Sequence, residues 1–349
     1  MKHELYMKKC LTLAKKSEGK TSPNPMVGCI VLDKDEKIIA TGYHKKYGDY
    51  HAERNALLKV TREEALGGTL VVNLEPCSHV GKTPPCTDII IEKGIKKVVI
   101  GMLDPNPKVD GIQKLKNAGI EVLTGVLEQE CKKLNEIFIV NQKEHRTFVA
   151  LKVASTIDGK VSTCRGDSKW ITSEKSRQKA KKLRQKYDAI LTSSSTVILD
   201  NPRMKHKKKI ILDRTLKTDF KNAEIYKSGE IIVFHSSDIV PSGIPDSIKF
   251  IRTPENDGKL NIQFILKKLY ENGIMSIFVE AGGKLLGEFL PYSDKVYHYI
   301  APKILGDNKG RSCYDGRNIN KISDCIDCKI EEMKKSGNDI LMVYKKIGT

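Results

Sequence analysis

A chain of 349 residues exceeds what one hydrophobic core usually fills, about 250 to 300 residues, so two domains are expected. Hydrophobic residues at 39% and charged residues at 30%, with no long apolar run, exclude a membrane-spanning or disordered chain and point to a globular protein that folds in water. The formal charge of +18 comes from lysines scattered along the whole length, as in Lys15-Lys16, Lys96-Lys97 and Lys345-Lys346, without a basic patch interleaved with aromatics; a solvated lysine-rich surface and anionic small-molecule substrates account for it, and no nucleic-acid partner is expected.

In chain order, the opening residues carry Glu4 and lack the apolar stretch of a secretory signal, which places the chain in the cytoplasm. Periodicity predicts a helix over 3–16, a strand over 27–32, a turn at Asp33-Lys34-Asp35 and a strand running to Ala40. A helix then starts near His51, followed by a strand over 69–73, a helix near 87–93, a strand over 97–100, a turn at Asp104-Pro105-Asn106-Pro107, a helix near residue 112 and a strand over 121–123. A helical stretch from 127 to about 143 ends in a polar run before an apolar strand at 148–154, so the boundary is expected there, with one domain over 1–145 and another over 146–349. The second half alternates again: helix 173–186, strands 189–191, 210–212 and 231–234, helix 262–271, strands 276–279 and 295–300. Both halves therefore read as α/β, a sheet covered by helices.

Nine cysteines, an odd number at irregular positions, argue against a disulfide framework and leave some for metal. His51-Ala52-Glu53, Glu75-Pro76-Cys77 and Cys86 supply one imidazole and two thiolates, three zinc ligands that leave a fourth position for water. At a helix start, His51 serves as ligand and Glu53 as proton carrier. Pro76 suits the first turn of a helix whose dipole holds Cys77 as thiolate. The arrangement resembles the zinc-deaminase pattern H-x-E followed by P-C-x-x-C, with a loop inserted so that Cys86 comes nine positions after Cys77. A closed structural site with His79 or a further cysteine as fourth ligand, or buried cysteines without metal, are the alternatives. Against them stands Glu53, for which a structural site has no use.

Thr21-Ser22-Pro23-Asn24-Pro25-Met26-Val27-Gly28, Gly42-Tyr43-His44 and the run from Glu75 through Lys82 to Cys86 resemble the deaminase half of the bifunctional riboflavin-biosynthesis family, which has the nine-position cysteine spacing. That resemblance implies that Asn24 holds the pyrimidine, and that His79, Lys82 and Thr83 lie near the ribose phosphate. It implies a cytidine-deaminase-like three-layer domain, Zn2+, and deamination of 2,5-diamino-6-ribosylamino-4(3H)-pyrimidinone 5′-phosphate with water activated by the metal.

No G-x-G-x-x-G follows a strand, so a Rossmann site is unsupported. The run from Ser276 to Gly287 reads as a buried strand, two glycines and a helix, a phosphate-accepting helix start that is common in any α/β protein. Lys152-Val153-Ala154, Ser168-Lys169-Trp170, Thr196-Val197-Ile198-Leu199-Asp200-Asn201-Pro202 and Ala301-Pro302-Lys303 resemble the same family's reductase half, so the likeness spans nearly the whole chain. It implies a dihydrofolate-reductase-like α/β domain that uses NADPH to open the ribosyl group to ribityl. Cofactor contacts are implied at Ala154, Trp170, Thr196, Asp200, Gly282, Gly283 and Gly287, and substrate contacts at Ser168, Arg184, Met204, Lys207 and Glu280, with Lys152 and Asp200 as polar groups around the reacting carbon. On the residues alone, Trp170 also suits a core, Arg184 a solvated helix face and Asp200 a turn. The family usually has leucine at the position of Met204 and arginine at that of Lys207; lysine gives up the bidentate fork that suits phosphate. A homo-oligomer is the weaker implication of the resemblance.

Two rival readings remain in the sequence. One is a nucleic-acid deaminase with a basic C-terminal binding domain, resting on the zinc motif and the charge. The other is a zinc-stabilised binding protein without activity. Cys325-x-x-Cys328 has no second pair beside it and reads as structural or chance placement.

Overall fold

The apolar runs become strands of two sheets, one in each of two units, residues 1–145 and 146–349, in the computed structural model. It describes residues 2–81, 83–240, 242–245, 247–316 and 319–347.

In the first unit the strand order is Ile38–Tyr43, Gly28–Leu32, Thr69–Leu74, Lys97–Met102, Glu121–Leu123. The first pairings are antiparallel and the last two parallel. Gly28–Leu32 is buried at every position, as expected of a strand covered on both faces. Two glycines show that the covering is two-sided. A Cβ on Gly28 would meet Cys10 O, in the helix Lys2–Ala14, at 2.1 Å, and one on Gly42 would meet Ala52 O, at the start of the helix Ala52–Leu57, at 2.2 Å. Gly42 pairs with Cys29, the neighbour of Gly28, so the two glycines point to opposite faces. Helix, sheet and helix thus form three layers, and the absence of side chains at two positions lets both helices close onto the sheet.

In the second unit the order is Ile248–Arg252, Glu230–His235, Lys208–Leu212, Ala189–Ser193, Ser276–Val279, Phe148–Thr156, Lys295–Ala301, Asp339–Lys346, Cys328–Ser336. Pairings as far as Lys295–Ala301 are parallel, and the last two strands close the edge as an antiparallel hairpin. In such sheets the carboxyl ends of the parallel strands are where loops converge and ligands sit.

Several elements differ from expectation, among them the edge strand Ile248–Arg252, which was not predicted. The predicted helix over 127–143 is two helices, Glu128–Leu134 and Glu136–Glu144. They break at Asn135, whose side chain accepts from Met26 N at 2.8 Å and donates to Met26 O at 3.1 Å. The hairpin Cys328–Ser336 and Asp339–Lys346 was not expected, because the outer strand is exposed almost throughout and its Lys and Glu residues do not alternate with apolar ones. The helix Ser194–Asp200, capped by the Ser193 hydroxyl on Thr196 N at 3.3 Å, was also missed; it makes Asp200 the last helical residue rather than a turn residue.

Candidate active sites

The first constellation forms where the second helix and the loop after the strand Thr69–Leu74 meet. His51 is the extended N-cap of Ala52–Leu57, and Glu53 lies in that helix's first turn. Cys86 opens the helix Cys86–Glu92, with Pro85 as N-cap. This corrects the expectation for Pro76: no helix starts there, and Cys77 sits in the loop after the strand. The proline signal was right for Pro85 instead, because a rigid φ fits a loop as well as a helix start. Cys77 accepts from Cys86 N–H at 3.4 Å, so the cap that a helix start provides falls on Cys77 from outside the helix.

His51 Nδ1 stands 3.5 Å from Cys77 Sγ and 3.5 Å from Cys86 Sγ. A tetrahedral zinc with bonds of about 2.3 Å to sulfur and about 2.0 Å to nitrogen places such atoms about 3.5 Å apart, so the donor set fits the ion. The three donors lie within 4.8 Å of one another, and among the described residues no fourth His, Cys, Asp or Glu joins them. His79 is exposed on the loop. The closed-site alternative therefore loses its fourth ligand. Hydrogen bonds from Cys86 and His51 hold the Cys77 thiol well below its usual range, while its neighbour Cys77 and burial push Cys86 up. A divalent cation favours both as thiolates.

Glu53 is buried at 3% exposure, and its Oε2 has no hydrogen-bond partner. Burial pushes its carboxyl up to about 7. A buried carboxylate with an unsatisfied oxygen is costly, and a site that retains one has a task for it. Beside it, His44 Nδ1 donates to Tyr50 O at 3.1 Å, which leaves Nε2 to accept from Asn24 Nδ2 at 3.2 Å. The His44 and His51 rings meet edge to face at 5.4 Å. Asn24 is thus oriented by a histidine that touches a predicted ligand. Buried Asn73 donates to Met26 O at 3.0 Å and accepts from Gly28 N at 2.7 Å, which ties down the segment that follows Asn24. Glu75, also buried, accepts from Asp104 N and Ile112 N, both at 3.2 Å, and anchors the approach to Cys77. Sequence reasoning assigned no role to His44, Asn73, Glu75 or Asn135; polar residues inside apolar runs were the available signal. Thr83 is buried in the same loop, and Lys82 lies outside the described residues.

The second constellation is a cleft of about 860 Å3, in the range of ligand pockets. Lys152, Ala154, Thr196, Asp200 and Met204 line it. So do Ser168, Trp170, Glu280, Gly282 and Gly283. They come from the carboxyl ends of several parallel strands and the segments after them. Trp170 is 62% exposed, with the Arg177 guanidinium 4.3 Å from its ring centre, and so is no core residue. Arg184 ends the helix Glu174–Arg184 and grips Glu280 with two bonds, Nε to Oε1 at 2.5 Å and Nη2 to Oε2 at 2.7 Å, rather than lying on a solvated face. Burial lowers the pKa of Lys152, against the attraction of Glu280.

The glycines of the predicted helix start divide in purpose. A Cβ on Gly282 would meet nothing within 4 Å, whereas one on Gly283 would lie 1.8 Å from Ser312 O and one on Gly287 2.1 Å from Asp315 O. Gly283 and Gly287 are required by packing, and Gly287 does not line the cleft. Lys207 is exposed and also outside the lining, and Arg184 reaches the cleft through Glu280. Arg177, Arg214, Lys217 and Lys259 line the cleft and were not named from sequence, since isolated cations in a lysine-rich chain carry no local signal.

Comparison with known proteins places the two halves. Residues 1–102 match the cytidine and deoxycytidylate deaminase zinc-binding region, and residues 147–342 match the RibD C-terminal domain. The chain is 40% identical to riboflavin biosynthesis protein RibD of Aquifex aeolicus, covering 98% of each chain. It is 38% identical to RibD of Actinobacillus pleuropneumoniae, covering 97% of this chain and 94% of that one. A crystal structure from Thermotoga maritima, a diaminohydroxyphosphoribosylaminopyrimidine deaminase/5-amino-6-(5-phosphoribosylamino)uracil reductase, superposes with a TM-score of 0.89 at 41% identity, covering 99% of this chain and 98% of that one. The first unit is a cytidine-deaminase-like three-layer domain and the second a dihydrofolate-reductase-like domain, as expected. Among the described residues no helix is long and apolar enough to cross a membrane.

Proposed function

The chain belongs to the RibD family of riboflavin-biosynthesis deaminase–reductases, and we propose on that premise that it first deaminates a phosphorylated ribosylaminopyrimidine and then reduces its ribosyl group. The first substrate is 2,5-diamino-6-ribosylamino-4(3H)-pyrimidinone 5′-phosphate. The observation that carries the reading is the trio of donors at 3.5 Å beside the unsatisfied Glu53 oxygen. His51, Cys77 and Cys86 hold zinc, which when bound supplies a Lewis acid and lowers the pKa of a water. Glu53 takes the proton from the attacking water and passes it to the exocyclic nitrogen, which departs as ammonia. Asn24, its amide fixed by His44, holds the pyrimidine, and the loop carrying His79, Lys82 and Thr83 receives the ribose phosphate.

In the cleft, NADPH when bound supplies the hydride that goes to C1 of the ribose. The bond from that carbon to the ring oxygen breaks, and the oxygen takes a proton. Lys152 and Asp200 are the polar groups placed to hold or deliver it. Ala154, Trp170, Thr196 and the open side of Gly282 suit the cofactor, and Ser168, Met204 and Glu280, the last steadied by Arg184, suit the substrate. The chemistry of the lining fits an anionic dinucleotide, because cations, hydroxyls and apolar side chains all line it.

The test incubates zinc-loaded protein with the diaminopyrimidine substrate, with and without NADPH, and follows the products by mass spectrometry. Deamination without NADPH, and reduction of the deaminated product with it, is the expected result. Reduction of the undeaminated compound, or no turnover, would overturn the order or the reading.

A further inference from the structure

The hairpin Cys328–Ser336 and Asp339–Lys346 forms one edge of the second sheet, and of the nine residues of its outer strand only Ser336 is buried. A strand so exposed adds little to the core, and burial at its very end points to a task for the turn. Ser336 and Asp339, which flank Gly337-Asn338, are 0% and 2% exposed. The start of the helix Glu174–Arg184 covers them. Asp339 Oδ2 accepts from Ser173 N at 2.8 Å and from the Ser173 hydroxyl at 2.7 Å. Beside this pair the Ser176 hydroxyl lies 2.9 Å from Ser336 O and 2.8 Å from Ser336 Oγ. A Cβ on Gly337 would meet Ser173 Oγ at 2.8 Å, so the turn comes this close because it carries no side chain there. A carboxylate at a helix N-terminus is also where the helix dipole favours one.

The same helix start carries one wall of the cleft. Residues 168–172, which lead into Ser173, all line it, and so does Arg177 from the beginning of the helix. Arg177 ties this segment down twice. Its Nη1 donates to Thr172 O at 2.6 Å, and its guanidinium lies 4.3 Å from the Trp170 ring centre. Lys303, which follows the strand Lys295–Ala301, donates to Trp170 O at 2.6 Å. The indole is mostly exposed and has little packing of its own, so these two cations set its pose.

Building on the reading of Trp170 as a cofactor contact, we propose that Asp339 is a positioning residue for the reductase. It fixes the helix start at Ser173, the helix start fixes Arg177, and Arg177 holds Trp170 in the pose that receives the nicotinamide dinucleotide. Asp339 itself lies outside the cleft lining. Its contribution is to remove freedom from residues 168–172 before the cofactor arrives, which lowers the ordering cost of binding. Without the carboxylate, Ser173 N–H and its hydroxyl lose that acceptor, and the cofactor has to order the segment itself. The outer strand, with almost no core of its own, is then the arm that carries the turn to the helix.

Trp170 is the one tryptophan of the chain, so tryptophan fluorescence reports on this segment alone. The experiment measures the anisotropy of that emission in the zinc-loaded full chain, and NADPH affinity by calorimetry. Asp339→Ala should lower the anisotropy of the free protein and weaken NADPH about tenfold, the worth of one charge-assisted hydrogen bond, with deamination unchanged. In a Trp170→Ala background the same substitution should change NADPH affinity less than about twofold, because the group it acts through is gone. Unchanged anisotropy, unchanged affinity, or an equal loss of affinity in both backgrounds would overturn the proposal and leave Asp339 an anchor of the sheet edge. Should Asp339→Ala abolish the thermal transition of the second unit, Ser173→Ala makes the same comparison. It keeps the carboxylate and the bond from the backbone N–H, and the expected loss is about threefold. A wild-type chain that binds no NADPH would overturn the reading of the cleft and this inference with it.

Discussion

The two sites differ in how much of their chemistry is set before a ligand arrives. In the first unit three donor atoms, a buried carboxylate and an asparagine pinned by a histidine stand together on a few short segments. In the second, the cleft draws residues from strand ends across the sheet, and two of its charged groups are paired with residues outside the lining, Glu280 with Arg184 and Arg214 with Glu255. A metal site tolerates errors of tenths of an ångström, while a long ligand is held by many contacts of which each is worth little. Single changes should therefore act as a switch in the first site and by degrees in the second.

The largest expected effect is that of Glu53→Gln, which keeps the size of the side chain and removes the proton carrier. Deamination should fall about a hundredfold to ten-thousandfold, with zinc content and reduction of the deaminated substrate unchanged. Loss of zinc in this variant, measured by atomic absorption, would show that Glu53 helps hold the ion, and the contrast between ligand and proton carrier would fail. Next is Arg184→Ala. It strands the buried Glu280 carboxylate, at a cost of about 3 kcal/mol, seen as a lower denaturation midpoint of the second unit with deamination retained. An unchanged midpoint would mean that the pair contributes nothing to the cleft floor.

A pH dependence also separates the units. His298 is buried in the second unit, its Nε2 2.8 Å from the Ser155 hydroxyl, and burial lowers its pKa from 6.5 to about 4. The unfolded chain takes up that proton first, so this contribution to stability is complete above about 6.5 and is lost as the pH falls towards about 4. His298→Gln should flatten that slope in urea titrations of the second unit. A slope unchanged by the substitution would assign it to other groups. The smallest effect belongs to Thr61, whose hydroxyl caps the helix Arg62–Ala65 while Glu64 returns the bond in a capping box. Thr61→Ala should destabilise the first unit by about 1 kcal/mol with deamination unchanged, because the cap lies outside the site. A loss of deamination would show that the first site is less self-contained than its geometry implies.

The difference between the sites is also a difference in legibility. His51-Ala52-Glu53, Cys77 and Cys86 could be picked out because a metal needs specific residue types at specific spacings, and the local backbone does most of the placing. Even there Pro76 misled, since a proline in a loop and one at a helix start look alike in sequence. The family to which the chain belongs takes the place of the nucleic-acid deaminase reading, which rested on the zinc motif and the net charge, and of the zinc-stabilised binding protein. Arg214 lines the cleft and pairs with Glu255 from a separate segment, and nothing in the sequence near either points to the other.

By itself the amino-acid order determined the α/β class, the two halves, the buried strands and the residue types of the zinc trio. Periodicity and ligand chemistry are local, and a run of a dozen residues is enough to express them. Tertiary structure alone decided which cations face the cleft, which glycines exist to let backbones touch, and that buried asparagines and His44 steady the segment carrying Asn24. Those outcomes depend on which strands become neighbours, and in a parallel sheet neighbours are joined through long crossovers.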